Sequence, residues 1–112
     1  MHELIELVEQ WAEDRNLING SSPTKQMFKL KEEVAELEEA IIGEYDVSDI
    51  RLELGDVLVV LVILCAQLGI NMTDCLNLAY GKIKHRKGIL HNGIFYKEGD
   101  ERYRAIAELY GK

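Results

Sequence analysis

The amino-acid sequence predicts an all-α fold: an antiparallel four-helix bundle, completed by dimerisation, with a C-terminal extension that carries a short helix. Three observations lead to this fold. Apolar residues recur three or four positions apart along four segments, and short stretches rich in Gly, Asn or Asp separate them. No segment alternates apolar and polar residues well enough to be a buried strand. The 112 residues should form one domain, with a core over about residues 2–88 and an extension over residues 89–112.

The first helix is expected over about residues 2–17, where apolar residues recur at helical spacing. It should end near Asn19 and Gly20, a pair that favours a turn. The apolar residues that define it are Leu4, Ile5, Val8, Trp11 and Ala12.

The second helix carries signals at both ends. Ser22 is a suitable N-cap, and Pro23 fits the first helical position, where its missing N–H is not needed. We expect this helix to continue to about Ile42, with Gly43 as its C-cap. Its predicted core-facing residues are Met27, Leu30, Val34, Leu37 and Ile41.

The third helix is expected over residues 47–68, closed by Gly69. After Asp56 it is apolar on nearly every side, which is typical of a helix buried on more than one side. One small bundle cannot easily cover such a helix. We therefore expect a second subunit to cover it, in a homodimer or a homotetramer.

The fourth helix is expected over residues 74–87, with Thr73 as its cap and Gly88 as its end. Like the others, it should join its neighbours through a short turn, as in an antiparallel bundle.

The helical pattern weakens in the extension. A turn is expected at residues 91–93 and a short extended segment at residues 94–96. Asp100 is a candidate cap for a last helix over residues 101–110.

Composition excludes several classes of protein. A net charge of -7 argues against general nucleic-acid binding, which relies on Lys and Arg to neutralise phosphates. The unbroken apolar run at residues 57–66 is too short to cross a bilayer, and residues 2 and 3 do not open a signal peptide. Cys65 and Cys75 form no disulfide framework. We expect a cytoplasmic protein that binds neither nucleic acid nor membrane.

Carboxylates are the chemical feature of this sequence. Residues three apart share a helix face, so Glu33 points the same way as Glu36, and Glu53 the same way as Asp56. Two antiparallel helices can direct both pairs at one spot. Oxygen ligands favour Mg²⁺ or Mn²⁺, whereas a di-iron bundle needs Glu-x-x-His pairs, which are missing here. The alternative is a solvated acidic surface, which suits Glu53 and Asp56 poorly because the most apolar segment follows them.

The order of these acids resembles a known signature. Glu32-Glu33-x-x-Glu36, sixteen residues and then Glu53-x-x-Asp56 are similar to the EExxE…ExxD signature of the MazG-like all-α nucleoside triphosphate pyrophosphohydrolases. Lys82 and Arg86 follow one helix later, and the resemblance covers roughly residues 20 to 90. The sequence departs from the family at position 80, where members often carry Asn and this chain has Tyr.

The resemblance implies cleavage between the α and β phosphates of a nucleotide, giving a monophosphate and pyrophosphate, with Mg²⁺ as cofactor. It implies that the metal ligands are Glu33, Glu36, Glu53 and Asp56. Glu32 is a further candidate, which could orient water or hold a second ion.

Basic and aromatic residues are candidates for substrate contact. Lys82 and Arg86 could meet the charge that develops on the leaving pyrophosphate, or could instead interact favourably with the end of the fourth helix. Gln26 and Lys29 open the second helix and could face the substrate or solvent. Trp11 could stack on a base, although its spacing from Leu4 and Val8 favours core packing.

Three alternatives remain open from the sequence. Related enzymes, the all-α dUTPase and phosphoribosyl-ATP pyrophosphohydrolase, use similar carboxylates. A non-enzymatic helical dimer or regulatory subunit would carry its acids only for solubility.

Overall fold

The computed structural model describes residues 2–111, which form five helices and one two-stranded sheet. This confirms the all-α class. The elements are α1 (His2–Asp14), α2 (Pro23–Ile42), α3 (Val47–Leu68), α4 (Met72–Ile83), β1 (Gly88–His91), β2 (Ile94–Lys97) and α5 (Tyr103–Leu109). The chain divides into two compact units, one up to Cys75 and one from Leu76 onward.

Local signals set the ends of α2 and α3. The Ser22 hydroxyl accepts a hydrogen bond from the backbone N–H of Lys25, and Pro23 opens α2 as predicted. Gly43 ends α2, and its N–H donates to the Glu39 carbonyl. Gly69 ends α3 with a φ of 68°, a left-handed conformation that glycine adopts without strain.

In the first unit, α3 packs against both α1 and α2, and α2 with α3 forms the larger interface. The buried side of α2 differs from the predicted one. Met27, Val34 and Ile41 are 40%, 44% and 55% exposed, whereas Gln26 and Glu33 are each only 8% exposed. The core-facing stripe thus lies one position earlier along the helix, and it includes two polar residues.

The stripe that faces the interior of the unit repeats every three or four residues, as a helix packed along its length requires. Its members are Gln26, Leu30, Glu33, Leu37 and Ala40.

Helix α1 is shorter than expected, because turns begin at Arg15 rather than near Asn19. Ala12 is fully buried, and Ile5 and Val8 are half-buried. Trp11 is 45% exposed and Leu4 is 64% exposed, so the prediction that both belong to the core was wrong. The apolar arc of α1 is wider than the strip that α3 covers.

Helix α4 differs from prediction at both ends. It begins at Met72, and its cap is Asn71, whose side-chain oxygen accepts from the N–H of Asp74 at 3.0 Å, rather than Thr73. It ends at Ile83, four residues before Lys87. Gly88 therefore belongs to β1 and does not close the helix.

The second unit holds a β-hairpin. Strands β1 and β2 pair antiparallel, with Ile89 opposite Tyr96. The turn at Asn92 and Gly93 has φ of 50° and 77°, the conformation that matches the twist of a two-residue hairpin. A Cβ on Gly88 would collide with the Phe95 ring, so the strand start also requires glycine.

Helix α5 packs on this hairpin, where Ile89, Ile106 and Ala107 form a small buried cluster with Tyr96 and Tyr103 against it. The helix is shorter than predicted. The Asp100 carboxylate accepts from the N–H of Arg102 at 2.8 Å and pairs with its guanidinium, so Asp100 orders the approach to α5.

Among the described residues, no single helix combines the length and the apolar character needed to cross a membrane; α3 and α4 reach that measure of length and composition only when counted together as one broken segment.

Candidate metal centre and adjoining cavity

Carboxylates from α2 and α3 meet in the first unit. One oxygen from each of Glu33, Glu53 and Asp56 lies within 4.8 Å of the other two. Glu33 belongs to the buried stripe of α2, and the other two lie one turn apart on α3. The interface between α2 and α3 therefore forces together acids that are twenty or more residues apart in the chain.

Two carboxylate oxygens of these residues have no hydrogen-bond partner. Oε2 of Glu33 and Oε2 of Glu53 are buried and have no hydrogen-bond partner. A buried carboxylate oxygen without a donor or cation is strongly unfavourable. The donor set consists only of oxygens, which suits a hard divalent cation such as Mg²⁺ or Mn²⁺. These residues therefore fit a metal of that class.

Glu36 lies one turn after Glu33 and outside the three-residue group. Its pKa is nevertheless raised, first by the negative charge of Glu33, then by partial desolvation and by the charge of Glu53. Its carboxyl is thus close enough to share the field of both acids. The structure brings all four predicted acids into one electrostatic group, while their role as ligands remains a prediction.

Lys29 supplies positive charge on one side of the group. Its Nζ lies 3.2 Å from Oε1 of Glu33 and 3.5 Å from Oε2 of Glu32. The pKa of Lys29 is raised, first by its hydrogen bond with Glu33. Glu32 is largely exposed and faces Lys29 without joining the group. One ammonium does not balance four carboxylates.

A cavity of about 470 Å³ opens beside Glu33 and Asp56. Its volume falls in the range usual for small-molecule sites. One wall is polar, formed by Ser21, Lys25, Gln26 and Lys29, and the rest is apolar, formed by Trp11, Leu17, Val59, Val60 and Ile63. A surface depression of about 510 Å³ near Tyr45 contains none of the four clustered acids.

Trp11 lines this cavity instead of packing in the core. The guanidinium of Arg15 lies 4.4 Å from the centre of the indole ring, so a cation covers one face of the ring. Gln26 and Lys29, also predicted as substrate contacts, line the same cavity. Three candidates from two helices thus surround one space.

The sequence did not point to the α3 wall of the cavity. Val59, Val60 and Ile63 read as ordinary core residues within an apolar run. The available signal was their spacing from Asp56, since residues three, four and seven positions later share its helix face.

Lys82 and Arg86 belong to the second compact unit. Because α4 ends at Ile83, Lys82 lies in its last turn and Arg86 lies beyond it, where its N–H donates to the Ile83 carbonyl. The expected helix through Lys87, with both cations on one face, was wrong. A role for either in binding phosphate remains a prediction.

Comparison with known proteins agrees with the resemblance in the sequence. The family model for the MazG nucleotide pyrophosphohydrolase domain matches residues 21–90, which include all four clustered acids and most of the cavity wall. An uncharacterised 18.2 kDa protein from the rep-hol intergenic region of Haemophilus phage HP1 is 47% identical over 68 residues. That match covers 60% of this chain and 40% of the phage protein. No solved structure matches. The chain therefore belongs to the MazG nucleotide pyrophosphohydrolase family.

Proposed function

We propose that this protein is a Mg²⁺-dependent nucleoside triphosphate pyrophosphohydrolase, which cleaves the α–β phosphate bond of ribo- or deoxyribonucleoside triphosphates to a monophosphate and pyrophosphate. One observation carries the proposal: the group of carboxylates lies at the edge of a cavity large enough for a nucleoside. Family membership supports the same class of reaction.

The acids would hold the metal. Glu33, Glu53 and Asp56 provide oxygens within 4.8 Å of one another, and Glu36 adjoins them. Mg²⁺ held by these residues would supply positive charge for the phosphate oxygens and would activate water for attack on phosphorus. Mn²⁺ has the same preference for oxygen and could replace it.

Other residues would bind and orient the nucleotide and the attacking water. The Lys29 ammonium lies beside Glu33 on the cavity wall, so it can also contact a phosphate oxygen. Glu32, whose largely exposed carboxylate pairs with Lys29, would be the candidate to accept a proton from water. We assign Lys82 and Arg86 to the leaving pyrophosphate, following the family pattern.

The direct test uses common ribo- and deoxyribonucleoside triphosphates, Mg²⁺ and product analysis. Stoichiometric monophosphate and pyrophosphate are expected. Absence of turnover of every substrate, at high enzyme concentration and with either Mg²⁺ or Mn²⁺, would refute the proposal. Including dUTP and phosphoribosyl-ATP in the panel distinguishes the two related activities.

A homodimer is part of the proposal, with a homotetramer as the alternative. The exposed apolar residues of α2, Met27, Val34 and Ile41, repeat every seven residues, as in helices that pack against another helix. Leu54 and Leu58 on α3 are also exposed. A Val34→Glu substitution should lower the mass measured by sedimentation, whereas Glu38→Lys should not. An unchanged mass for Val34→Glu would contradict this interface.

A cytoplasmic location accompanies this function, since both cysteines are free thiols.

The main alternative is a non-enzymatic helical dimer. The exposed apolar stripe of α2 could form the interface of such a dimer, but this function gives no reason for the buried and unpartnered oxygens of Glu33 and Glu53. The melting temperature of a non-enzymatic helical dimer should not change on addition of Mg²⁺.

A further inference from the structure

Gln26 is a polar residue in a position that packing would fill with an apolar one. It begins the buried stripe of α2 and is only 8% exposed. Across residues 2–111, its side-chain amide forms no hydrogen bond with another group of the protein. Its atoms are not sealed in, because the residue lines the 470 Å³ cavity. A nearly buried amide that faces a cavity can form hydrogen bonds only with water or a ligand in that cavity.

The position of Gln26 relative to the metal centre matches the length of a nucleotide. Gln26 lies seven residues before Glu33 on the same face of α2. Two helical turns separate the residues by about 10 Å along the helix axis. A nucleotide whose α phosphate is held at the carboxylates would extend its base over that span.

The walls around Gln26 suit a flat heterocycle. Val60 and Ile63 are almost fully buried on the α3 side of the cavity, and Trp11 supplies an aromatic surface from α1. Apolar and aromatic walls with a few polar groups are typical of sites that hold a ring and fix its orientation. Because Trp11 and the aliphatic residues accept any base, they cannot distinguish one base from another.

The amide can make that distinction. A glutamine side chain offers both a donor and an acceptor, and each base presents its own pattern of donors and acceptors along its edge. We infer that Gln26 is the residue that reads the base: its buried amide forms paired hydrogen bonds with the edge of the nucleobase and sets the enzyme's preference among nucleoside triphosphates. This inference rests on the proposed function, since it assigns a contact within the same site.

The experiment measures kcat/KM for ATP, GTP, CTP, UTP and dTTP in the wild type and in two variants of similar side-chain volume. Gln26→Met removes both hydrogen-bonding groups. It should lower kcat/KM for the preferred base by about tenfold or more and bring the five values closer together. Gln26→Glu replaces the donor with an acceptor. It should shift preference away from UTP and dTTP, which have no amino group, toward ATP, GTP and CTP, whose amino groups donate to a carboxylate.

Gln10→Met is the matched control, because it removes an amide from an exposed position on α1. It should leave all five values unchanged. The rise in melting temperature caused by Mg²⁺ should be the same in the wild type and in Gln26→Met, which shows that the metal centre and the fold are intact.

Two results would overturn the inference while leaving the proposed function in place. The first is that the wild type is active but both Gln26 variants keep its order of preference, because all five kcat/KM values fall by the same factor or do not change. The other is a wild type that hydrolyses all five equally. A wild type that hydrolyses none of them would instead refute the proposed function, and the inference with it.

Discussion

Replacement of Glu53 by glutamine should stabilise the metal-free protein and remove its response to Mg²⁺. The Glu53 carboxylate lies within 4.8 Å of oxygens of both Glu33 and Asp56, and its Oε2 is buried without a partner. At that separation, each repulsive pair amounts to about 1 kcal/mol in a water-like medium and about 3 kcal/mol at a dielectric constant near 20. Because the group is only half-buried, we expect Glu53→Gln to raise the free energy of unfolding by about 1 to 3 kcal/mol without metal.

Bound metal should reduce this difference in stability between the variant and the wild type. A ligand at ten times its dissociation constant stabilises the native state by about 1.4 kcal/mol. For a chain of this size that corresponds to a rise in melting temperature of roughly 5 °C. The wild type should show the rise, and Glu53→Gln should lose it.

The assay is thermal unfolding followed by circular dichroism, with Mg²⁺ titrated from zero to saturation. Glu38→Gln is the matched control, since it removes the same charge from α2 outside the carboxylate group. It should change the metal-free stability by less than about 0.5 kcal/mol and keep the full metal response. A Glu53→Gln protein that is destabilised without metal and still responds to Mg²⁺ like the wild type would refute the reasoning.

Three further predictions follow from single residues. Gly55 in α3 and Gly81 in α4 both have open space where a Cβ would be. Gly55→Ala and Gly81→Ala should therefore each raise the free energy of unfolding by about 0.5 to 1 kcal/mol. Destabilisation by Gly55→Ala alone would contradict this and would mean that another surface covers Gly55. Hydrogen bonds from Arg102 lower the pKa of Asp100 from 3.8 to about 2, so Asp100 stabilises the fold above pH 4 and loses this effect as the pH falls to about 2. The stability difference between wild type and Asp100→Ala should therefore decrease as the pH falls from 4 through 2, and a difference that stays constant with pH would contradict this. The pKa of Cys65 is raised, first by burial and then by the neighbouring Cys75. Ellman's reagent should therefore modify the exposed Cys75 before Cys65. Equal modification rates of the remaining thiol in the Cys65→Ser and Cys75→Ser variants would contradict this prediction.

The ends of α2 and α3 were the most predictable part of the fold. The bounds of α2 and α3 follow from residues that act within one turn: the Ser22 hydroxyl, the Pro23 ring, and glycines at positions 43 and 69. Such signals need no knowledge of tertiary contacts. The end of α4 was not predictable in the same way, because Gly88 looked like a helix cap and serves as a strand residue with no room for a side chain.

The buried face of α2 was harder to predict than its ends. On α2, an apolar arc runs through two adjacent stripes, and periodicity alone cannot tell which one faces α3. The stripe with Met27, Val34 and Ile41 is the more apolar, yet the stripe with Gln26 and Glu33 is buried. Polar residues lie inside here, as expected if they belong to a functional site, and a rule based on hydrophobicity therefore selects the wrong stripe.

The candidate site was predictable to the extent that it depends on helix geometry. The spacing within each acidic pair placed its members on one face, and the packing of α2 on α3 brought the pairs together. The cavity was not predictable, because it depends on how far Trp11 and Leu17 stand from Val60 and Ile63, and these distances are set by packing. The half-exposed Trp11 and the buried Gln26 were likewise not predictable from the sequence.

The central claim is that the carboxylates hold a metal that promotes cleavage between the α and β phosphates. The most direct measurement is hydrolysis of nucleoside triphosphates in ¹⁸O-labelled water with Mg²⁺, followed by mass analysis of the products. The account predicts one monophosphate and one pyrophosphate per substrate, and no product from Glu53→Gln. Formation of a diphosphate and inorganic phosphate, or equal activity of Glu53→Gln and the wild type, would contradict it.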